Sequence, residues 1–366
     1  MQDFLPQKIL VEKGAERHRL AQEVLSRFPQ IPAVTIDSLE SYKEPLPLNQ
    51  AKKILALAAL RGAPVKPFPK IPHALNLGDY VFNPVSNCHL ECTYCILQSY
   101  LKNNPVLTLF TNVEDFFSAI RELSAAQAGR ILRLGTGELS DSLALDGVTA
   151  LSRHWIPFFS ELPNAYLELK TKTDAVANLL DLDPRGRTVV SWSLAPEAIA
   201  AREELKCAST AERVAAARRV QAAGYPVGLH LDPLIYGEGW REAYRELVAT
   251  LARELDPRRI AWVSLGSLRF DKELKEIALE RFSQTKIFSG DFIAAPDGKR
   301  RYFKTIRIEM YRALWRWLEE WSRDFPRYLC MEPPWMWEEV SGAPAPQAAA
   351  VETVLVRRLE ELRLSS

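Results

Sequence analysis

The chain has 366 residues, 47% of them hydrophobic and 25% charged, with a formal net charge of +1. That balance is ordinary for a globular protein and gives no global attraction to nucleic acid, so any such binding must come from a local patch. No run of about 18 apolar residues occurs, and the start Met1-Gln2-Asp3-Phe4-Leu5-Pro6 lacks the basic-then-apolar pattern of a signal peptide, so the chain reads as cytoplasmic with no membrane partner. The length allows one large α/β domain with an appendage, or two domains. Of the five cysteines three are clustered, while Cys207 and Cys330 are single and far apart, which does not suggest a disulfide framework.

Residues 1–78 read as an amino-terminal extension with helical stretches around Ala15–Phe28 and Asn49–Arg61. Pro45, Pro47, Pro64, Pro67, Pro69 and Pro72 disfavour regular structure, and Gly62–His73 reads as a linker wrapping over the next domain. No chemistry is visible in it. From Asp79 short apolar strands alternate with amphipathic helices, the rhythm of parallel βα units. The strands are Tyr80–Val85, Ile131–Leu134, Ala165–Thr171, Thr188–Leu194, Pro226–Leu231 and Ile260–Leu265. Helices are expected at Val113–Ala125, Leu143–Phe159, Asp174–Leu180, Thr210–Ala223 and Trp240–Glu254. Six such units over 79–270 make a partial (βα)6 barrel of the α/β class, whose ligands sit at the carboxyl ends of the strands.

Residues 271–340 hold a hairpin and a helix region. Phe292–Phe303 reads as two short strands around a Pro-Asp-Gly turn, followed by a helix at Ile306–Asp324 and the rigid aromatic segment Pro333-Pro334-Trp335-Met336-Trp337, placed to close the barrel mouth. Trp317 and Trp321 share a helix face and Trp315 does not. Residues 341–366 read as a loose Ala/Pro-rich tail and a short charged helix.

The chemistry concentrates in Cys88-His89-Leu90-Glu91-Cys92-Thr93-Tyr94-Cys95, three thiols at spacing C-x3-C-x2-C directly after the first strand. Soft thiolates so closely spaced suit an iron–sulfur cluster, zinc or copper(I). A closed zinc site wants four protein ligands, which His89 could complete, and an ordinary four-iron cluster takes four cysteines. Three cysteines leave one iron open to a substrate or cofactor. Buried, unligated core cysteines are the bland alternative.

The spacing, with Tyr94 directly before the last cysteine, resembles the cluster loop of the radical S-adenosylmethionine (radical SAM) enzymes. That resemblance implies a 4Fe-4S cluster on Cys88, Cys92 and Cys95, whose open iron chelates S-adenosylmethionine and whose electron cleaves it to a 5'-deoxyadenosyl radical. Tyr94 would lie near the adenine. Gly135-Thr136-Gly137-Glu138, after the second strand, looks like the superfamily's element for the methionine amino group: Gly137 allows close backbone approach and Glu138 suits an ammonium. A plain structural turn is the alternative. Ser140 joins the cofactor set and, with Asp141, equally suits a helix cap. Lys172 suits the cofactor carboxylate, Ser191 and Ser193 a ribose, and Asp232 cofactor or substrate, whereas His230 is more often packed. For each of these the alternative is a solvated charge or a satisfied strand-end hydroxyl.

The order of motifs resembles the spore photoproduct lyases: Phe4-Leu5-Pro6-Gln7-Lys8-Ile9-Leu10, Cys88–Gln98, Thr111-Asn112-Val113-Glu114, Ser140-Asp141, Thr171-Lys172, Ala222-Ala223-Gly224-Tyr225, Pro233, Glu238-Gly239-Trp240 and Arg269-Phe270. The resemblance implies hydrogen abstraction from a thymine–thymine photoproduct in DNA, with a flavodoxin or ferredoxin as reducing partner. It also implies a cysteine hydrogen donor just after the second strand and a tyrosine after the last cluster cysteine. Here those positions hold Glu138 and Ile96. A carboxyl O–H bond is too strong to give hydrogen to an allylic radical, so Glu138, placed with Tyr94 as a catalytic candidate, cannot take the thiol's part. The lyases insert a hairpin like 292–303 into damaged duplex, which makes Arg269, Lys299, Arg300, Arg301 and Tyr302 candidates for phosphate neutralisation and base stacking, beside a solvated hairpin as the alternative. Three other readings remain: a radical SAM reaction on a different substrate, a catalytically silent nucleic-acid-binding relative, and a structural zinc protein.

Overall fold

The computed structural model describes residues 4–42, 44, 46–69, 74–75, 80–101, 104–295 and 297–364. The expected boundary at 78/79, the first three residues, Pro45, Pro72, the linker's end at His73 and Pro296 of the hairpin turn lie outside the described residues.

Seven parallel strands form an open barrel sheet: β1 (Tyr80–Phe82), β2 (Leu132–Gly135), β3 (Ala165–Thr171), β4 (Thr188–Ser193), β5 (Val227–Leu234), β6 (Ile260–Ser267) and β7 (Arg327–Leu329). They are hydrogen-bonded in that order, β7 ends one edge, and the antiparallel strand Val65–Pro67 ends the other. Pro67 is tolerated there because an edge strand can spare an N–H. All six expected strands are present within a few residues. The seventh is only three residues long and follows the aromatic helix, too short to carry a periodic signal.

Helices between them include α1 (Val113–Ala126), α2 (Ser152–Ser160), α3 (Thr210–Ala222), α4 (Trp240–Glu254) and α5 (Lys304–Trp321), and α6 (Ala348–Leu364) comes after β7. A capping box starts α3: Ser209 accepts from the Glu212 N–H, and the Glu212 carboxylate accepts from the Ser209 N–H.

Three expected helices are broken or absent. Leu143–Phe159 is broken, because Ala150 adopts φ 50° between the turn Asp146–Thr149 and α2. Asp174–Leu180 is not helical: the Thr171 and Thr173 hydroxyls accept from the N–H groups of Thr173 and Ala175 and offer the backbone a local alternative. Asn49–Arg61 is a single turn, Leu48–Ala51, followed by the fully buried strand Ile54–Ala58. Tertiary pairing overrides helix propensity there, since the strand runs between Lys8–Glu12 and Leu107–Phe110 in a second sheet that also holds Ala33–Ile36 and Val85–Ser86.

The tail helix α6 is seventeen residues long, not short, and buries Val351, Leu355, Leu359 and Leu362. It packs at the amino ends of the strands, where Arg358 donates to the carbonyls of Ile260 and Arg258 and Glu360 accepts from the Tyr166 hydroxyl. Contact is close enough that a Cβ on Gly186 would lie 2.6 Å from Arg363 Cα. Among the described residues no helix is long and apolar enough to cross a membrane. If α6 seals this end, Leu355→Ala will lower unfolding free energy by about 2–5 kcal/mol; urea titration checks this, and an unchanged midpoint would show the helix to be a dispensable appendage.

Candidate active site at the carboxyl edge of the barrel

The cysteine loop leaves β1 and is held from three sides. Cys92 and Glu91 pair antiparallel with Glu204 and Leu205. The buried Glu91 carboxylate meets Lys52 at 3.3 Å, from the amino-terminal region, and Arg281 at 2.8 Å, from beyond the barrel. Gln98 donates to the carbonyls of Cys92 and Thr93 at 2.9 and 3.1 Å, and Thr93 donates to Glu203 at 2.7 Å. Asn87, at φ 71°, turns the chain into the loop and accepts from the Cys88 N–H at 2.8 Å. The loop is therefore held at Cys88, Glu91, Cys92 and Thr93 by partners from several elements.

The three thiols line one pocket of about 330 Å³ at the carboxyl ends of the strands. Successive strands contribute to it in order: Gly137 and Glu138 after β2, Lys170 and Lys172 around the end of β3, Ser193 from β4, Asp232 from β5, and Ser267 and Arg269 at the end of β6. Ser140 and Lys299 also face it. Glu138 is held by Asn83, whose side-chain amide donates to it at 2.8 Å. Asp141 accepts from the N–H groups of Leu143 and Ala144 and from Thr171 and the Lys172 N–H, so it pins a turn to the end of β3 and is not the helix cap expected of it: the next helical turn, Asp146–Thr149, starts from Leu145 with no side-chain cap. A Cβ on Gly266 would lie 2.5 Å from Asp232 Cγ, so the carboxylate lies flat against a backbone position that only glycine leaves open.

Under the loop lies a buried charge cluster that sequence reading missed. Glu204 accepts from Lys172 at 2.6 Å and from Arg213 at 2.5 Å, and also from the Tyr94 hydroxyl. Lys172 Nζ stands 5.3 Å from the Tyr94 ring centre. Burial opposes the charge on Lys172, but Glu204 beside it raises its affinity for the proton overall. Arg213 is near the start of α3, and an arginine on the same helix face as Ala216, Ala217 and Val220 was the available signal.

The fit of the thiols to a cluster rests on their placement. Among the described residues no three His, Cys, Asp or Glu side chains converge on a point that would hold a single ion. Ligands of a multi-iron cluster stand on separate irons and need no such convergence. His89 does not join them: its ring packs on Phe4, centroids 5.1 Å apart, and burial lowers its pKa to about 4. Cys207 Sγ lies 3.6 Å from Cys92 Sγ, a fourth thiol that spacing alone did not suggest.

Several candidates lie elsewhere. Ser191 is fully buried and spends its hydroxyl on Glu168 at 2.6 Å, away from the pocket. The hairpin forms as Phe292–Ala294 and Arg300–Tyr302, joined by Arg269–Phe270 as a third strand. Tyr302 is buried, stacks on Phe292 with centroids 4.7 Å apart, and its hydroxyl accepts from the Tyr236 N–H at 3.1 Å, so it packs the hairpin and has no free face for a base. Arg301 pairs with Asp297, and Arg300 is exposed. Burial and then the charge of Arg269 lower the pKa of Lys299 at the pocket mouth. Trp335 begins the helix Pro334–Ser341, partly exposed beneath Lys304.

Three thiols on the loop after the first strand of an open parallel barrel, facing an acid and hydroxyls from the strands that follow, define a radical SAM fold. The family model described as spore photoproduct lyase matches residues 4–292, and the chain belongs to that family. Relatives described as spore photoproduct lyase include one from Geobacillus sp. (strain Y412MC61), 27% identical over 298 residues that cover 78% of this chain and 85% of the relative. Another, from Bacillus subtilis (strain 168), is 26% identical over 310 residues, covering 82% and 87%. A solved spore photoproduct lyase complexed with dinucleoside spore photoproduct superposes with a TM-score of 0.81 at 24% identity, covering 90% of this chain and all of that one. A variant with bound AdoMet and the same dinucleoside gives 0.80 at 24% identity, with the same coverage.

The charge cluster sets an acid limit on stability. Burial alone would raise the Glu204 pKa, but Lys172 and Arg213 bring it to about 2, against 4.5 for a free carboxyl. A depressed folded-state pKa contributes stability that is fully present above the unfolded value and is lost as pH falls from about 4.5 toward 2. Glu204→Gln is expected to cost about 3–5 kcal/mol near neutrality, because two buried cations lose their counter-charge, and to flatten the acid limb over that window. Urea unfolding at stepped pH measures both; an acid limb as steep as wild type would remove Glu204 from the account.

Proposed function

We propose that this chain is a radical SAM lyase that abstracts hydrogen from a thymine photoproduct in damaged DNA and lets the cross-link fragment. The observation that carries the reading is the single carboxyl-edge pocket, in which the three thiols of the C-x3-C-x2-C loop face Glu138, Ser140, Ser193 and Asp232. The likeness to spore photoproduct lyases over most of the chain supports the substrate class.

In this reading Cys88, Cys92 and Cys95 hold a 4Fe-4S cluster, which, with S-adenosylmethionine bound, supplies the 5'-deoxyadenosyl radical. The protein's own residues position and shield. Glu138, fixed by Asn83, takes the cofactor's ammonium, and Gly137 lets the backbone approach it. Ser140 and Ser193 offer hydroxyls to the cofactor. Lys172 and Glu204 hold Tyr94 in place over the loop, so the Lys172 charge is already partly neutralised when a cofactor carboxylate arrives. Asp232 and Arg269 face the substrate side. Lys299 and Arg300 on the hairpin meet DNA phosphates, while Arg301 and Tyr302 keep the hairpin rigid. Residues 79–270 serve as the catalytic unit, 271–340 as the substrate-facing region, 1–78 as a support for the loop and 341–366 as the seal of the far end. A flavodoxin or ferredoxin in the cytoplasm supplies the electron.

Anaerobic incubation of iron-reconstituted protein with dithionite, S-adenosylmethionine and a spore photoproduct dinucleotide tests this. Mass spectrometry should find 5'-deoxyadenosine together with restored thymidine, and Cys95→Ala should abolish both along with the visible absorption of the cluster. Deoxyadenosine without thymidine would sink the substrate assignment; no deoxyadenosine from protein with a verified cluster would sink the enzyme.

A further inference from the structure

The pocket does not end at the strand termini. It continues into the barrel as a second cavity of about 380 Å³ that shares Ile96, Gly137, Glu138, Lys170, Asp232 and Met331 with it. The far wall of this cavity is the unanticipated strand β7 and the residues just past it. Tyr328 pairs with Ser264 and Leu329 with Leu265 on β6, and the Cys330 N–H donates to the Leu265 carbonyl at 2.7 Å. Alternation along the strand sends Leu329 into the core and turns Tyr328 and Cys330 together toward the cavity, which both of them line.

The surroundings of the Cys330 thiol are polar and specific. Asp232, the carboxylate seated on Gly266, and Arg269 are both close enough to act on its charge, and all three residues line the joined cavities. Burial and Asp232 both raise its pKa, so the sulfur keeps its hydrogen. On the same side of the barrel, Ser267 is buried in the pocket wall, two residues before Arg269, and its hydroxyl has no hydrogen-bond partner. An open, buried polar contact facing the pocket is what a bound substrate would satisfy.

A reaction begun by hydrogen abstraction leaves a carbon radical that must receive a hydrogen atom before product can leave. Among the described residues lining the two cavities, thiols are Cys88, Cys92, Cys95 and Cys330, and the first three belong to the cluster loop. The carboxyl groups at hand hold hydrogen too strongly to give it to carbon. We propose that Cys330 is the hydrogen-atom donor to the substrate-derived radical, with the substrate held against the β6–β7 wall by Ser267 and Arg269. This rests on the radical lyase reading above.

The carbon radical takes the hydrogen atom from Cys330, forming a C–H bond as the S–H bond breaks, and leaves a thiyl radical on sulfur. One electron, from the low-potential donor that reduces the cluster, and one proton, relayed by Asp232, restore the thiol. The hydrogen delivered to product is therefore solvent-exchangeable.

Two measurements test it. In deuterium oxide the wild-type protein should place one deuterium in the restored thymidine. Cys330→Ala and the near-isosteric Cys330→Ser, each with a verified cluster absorption, should yield about tenfold less thymidine per deoxyadenosine formed. Independently of turnover, alkylation of Cys330 by excess iodoacetamide at alkaline pH, slow because burial keeps the thiol protonated and followed by peptide mapping, should be slowed further by the photoproduct dinucleotide and not by undamaged dinucleotide. Thymidine without deuterium from wild type, an unchanged thymidine-to-deoxyadenosine ratio in both variants, or alkylation indifferent to the photoproduct would each overturn the assignment. Absence of deoxyadenosine from the wild type would instead overturn the radical reading on which it rests, and so separates the two failures.

Discussion

Everything at the carboxyl edge depends on one buried carboxylate, Glu204. It accepts from Lys172 at the end of β3, from Arg213 on α3 and from the Tyr94 hydroxyl in the cysteine loop, and its own backbone pairs with Cys92. Two cations and one anion in a buried setting would be costly if any partner were missing. Together they tie three elements, distant in sequence, to the loop that carries the thiols. Glu91 does the same on the loop's other side, joining Lys52 and Arg281. The loop needs this because it has little regular structure of its own: only Glu91 and Cys92 pair as strand.

The rest of the site follows from barrel geometry. Parallel strands end on one edge, so residues that follow β1 to β7 meet around one opening. The pocket is divided in character as a result. The β1–β4 side carries the thiols, Glu138, Ser140 and Ser193, suited to a charged cofactor, and the β5–β7 side carries Asp232, Ser267, Arg269 and Cys330. Deeper in the barrel, Glu168 accepts from Ser191 and meets His230 Nε2 at 2.8 Å, while His230 Nδ1 lies 3.2 Å from Ser264, so these four residues form a polar network that satisfies itself. The placement of Ser191 in this network explains why a strand-end serine did not reach the pocket: it sits two residues before Ser193, on the same face of β4 but one step deeper in the barrel.

What the sequence made legible was local. The βα rhythm and the cysteine spacing are each written within a few residues, and the structure carries them as read. What it hid was non-local. Ile54–Ala58 has helix-forming residues yet is a central strand, because neighbours on both sides supply its hydrogen bonds. Glu204 and Arg213 look like ordinary surface charges on an alanine-rich segment, and only folding buries them under the loop. Tyr302 has the composition of a base-stacking residue, but the hairpin needs an aromatic on its inner face, against Phe292 and Tyr236. Cys330 appeared solitary in the chain and becomes part of the cavity only once β7 joins the sheet.

The central claim is that three thiols of one loop hold a cluster whose remaining iron has no protein ligand. Anomalous diffraction at the iron edge, on crystals of the reconstituted protein grown without oxygen, tests it most directly. Iron is expected at Cys88, Cys92 and Cys95, with one iron free of protein ligands and open to added S-adenosylmethionine in the pocket that Glu138 and Ser193 also line. Iron closed by Cys207 or His89 as a fourth protein ligand, or one metal ion in place of a cluster, would contradict it.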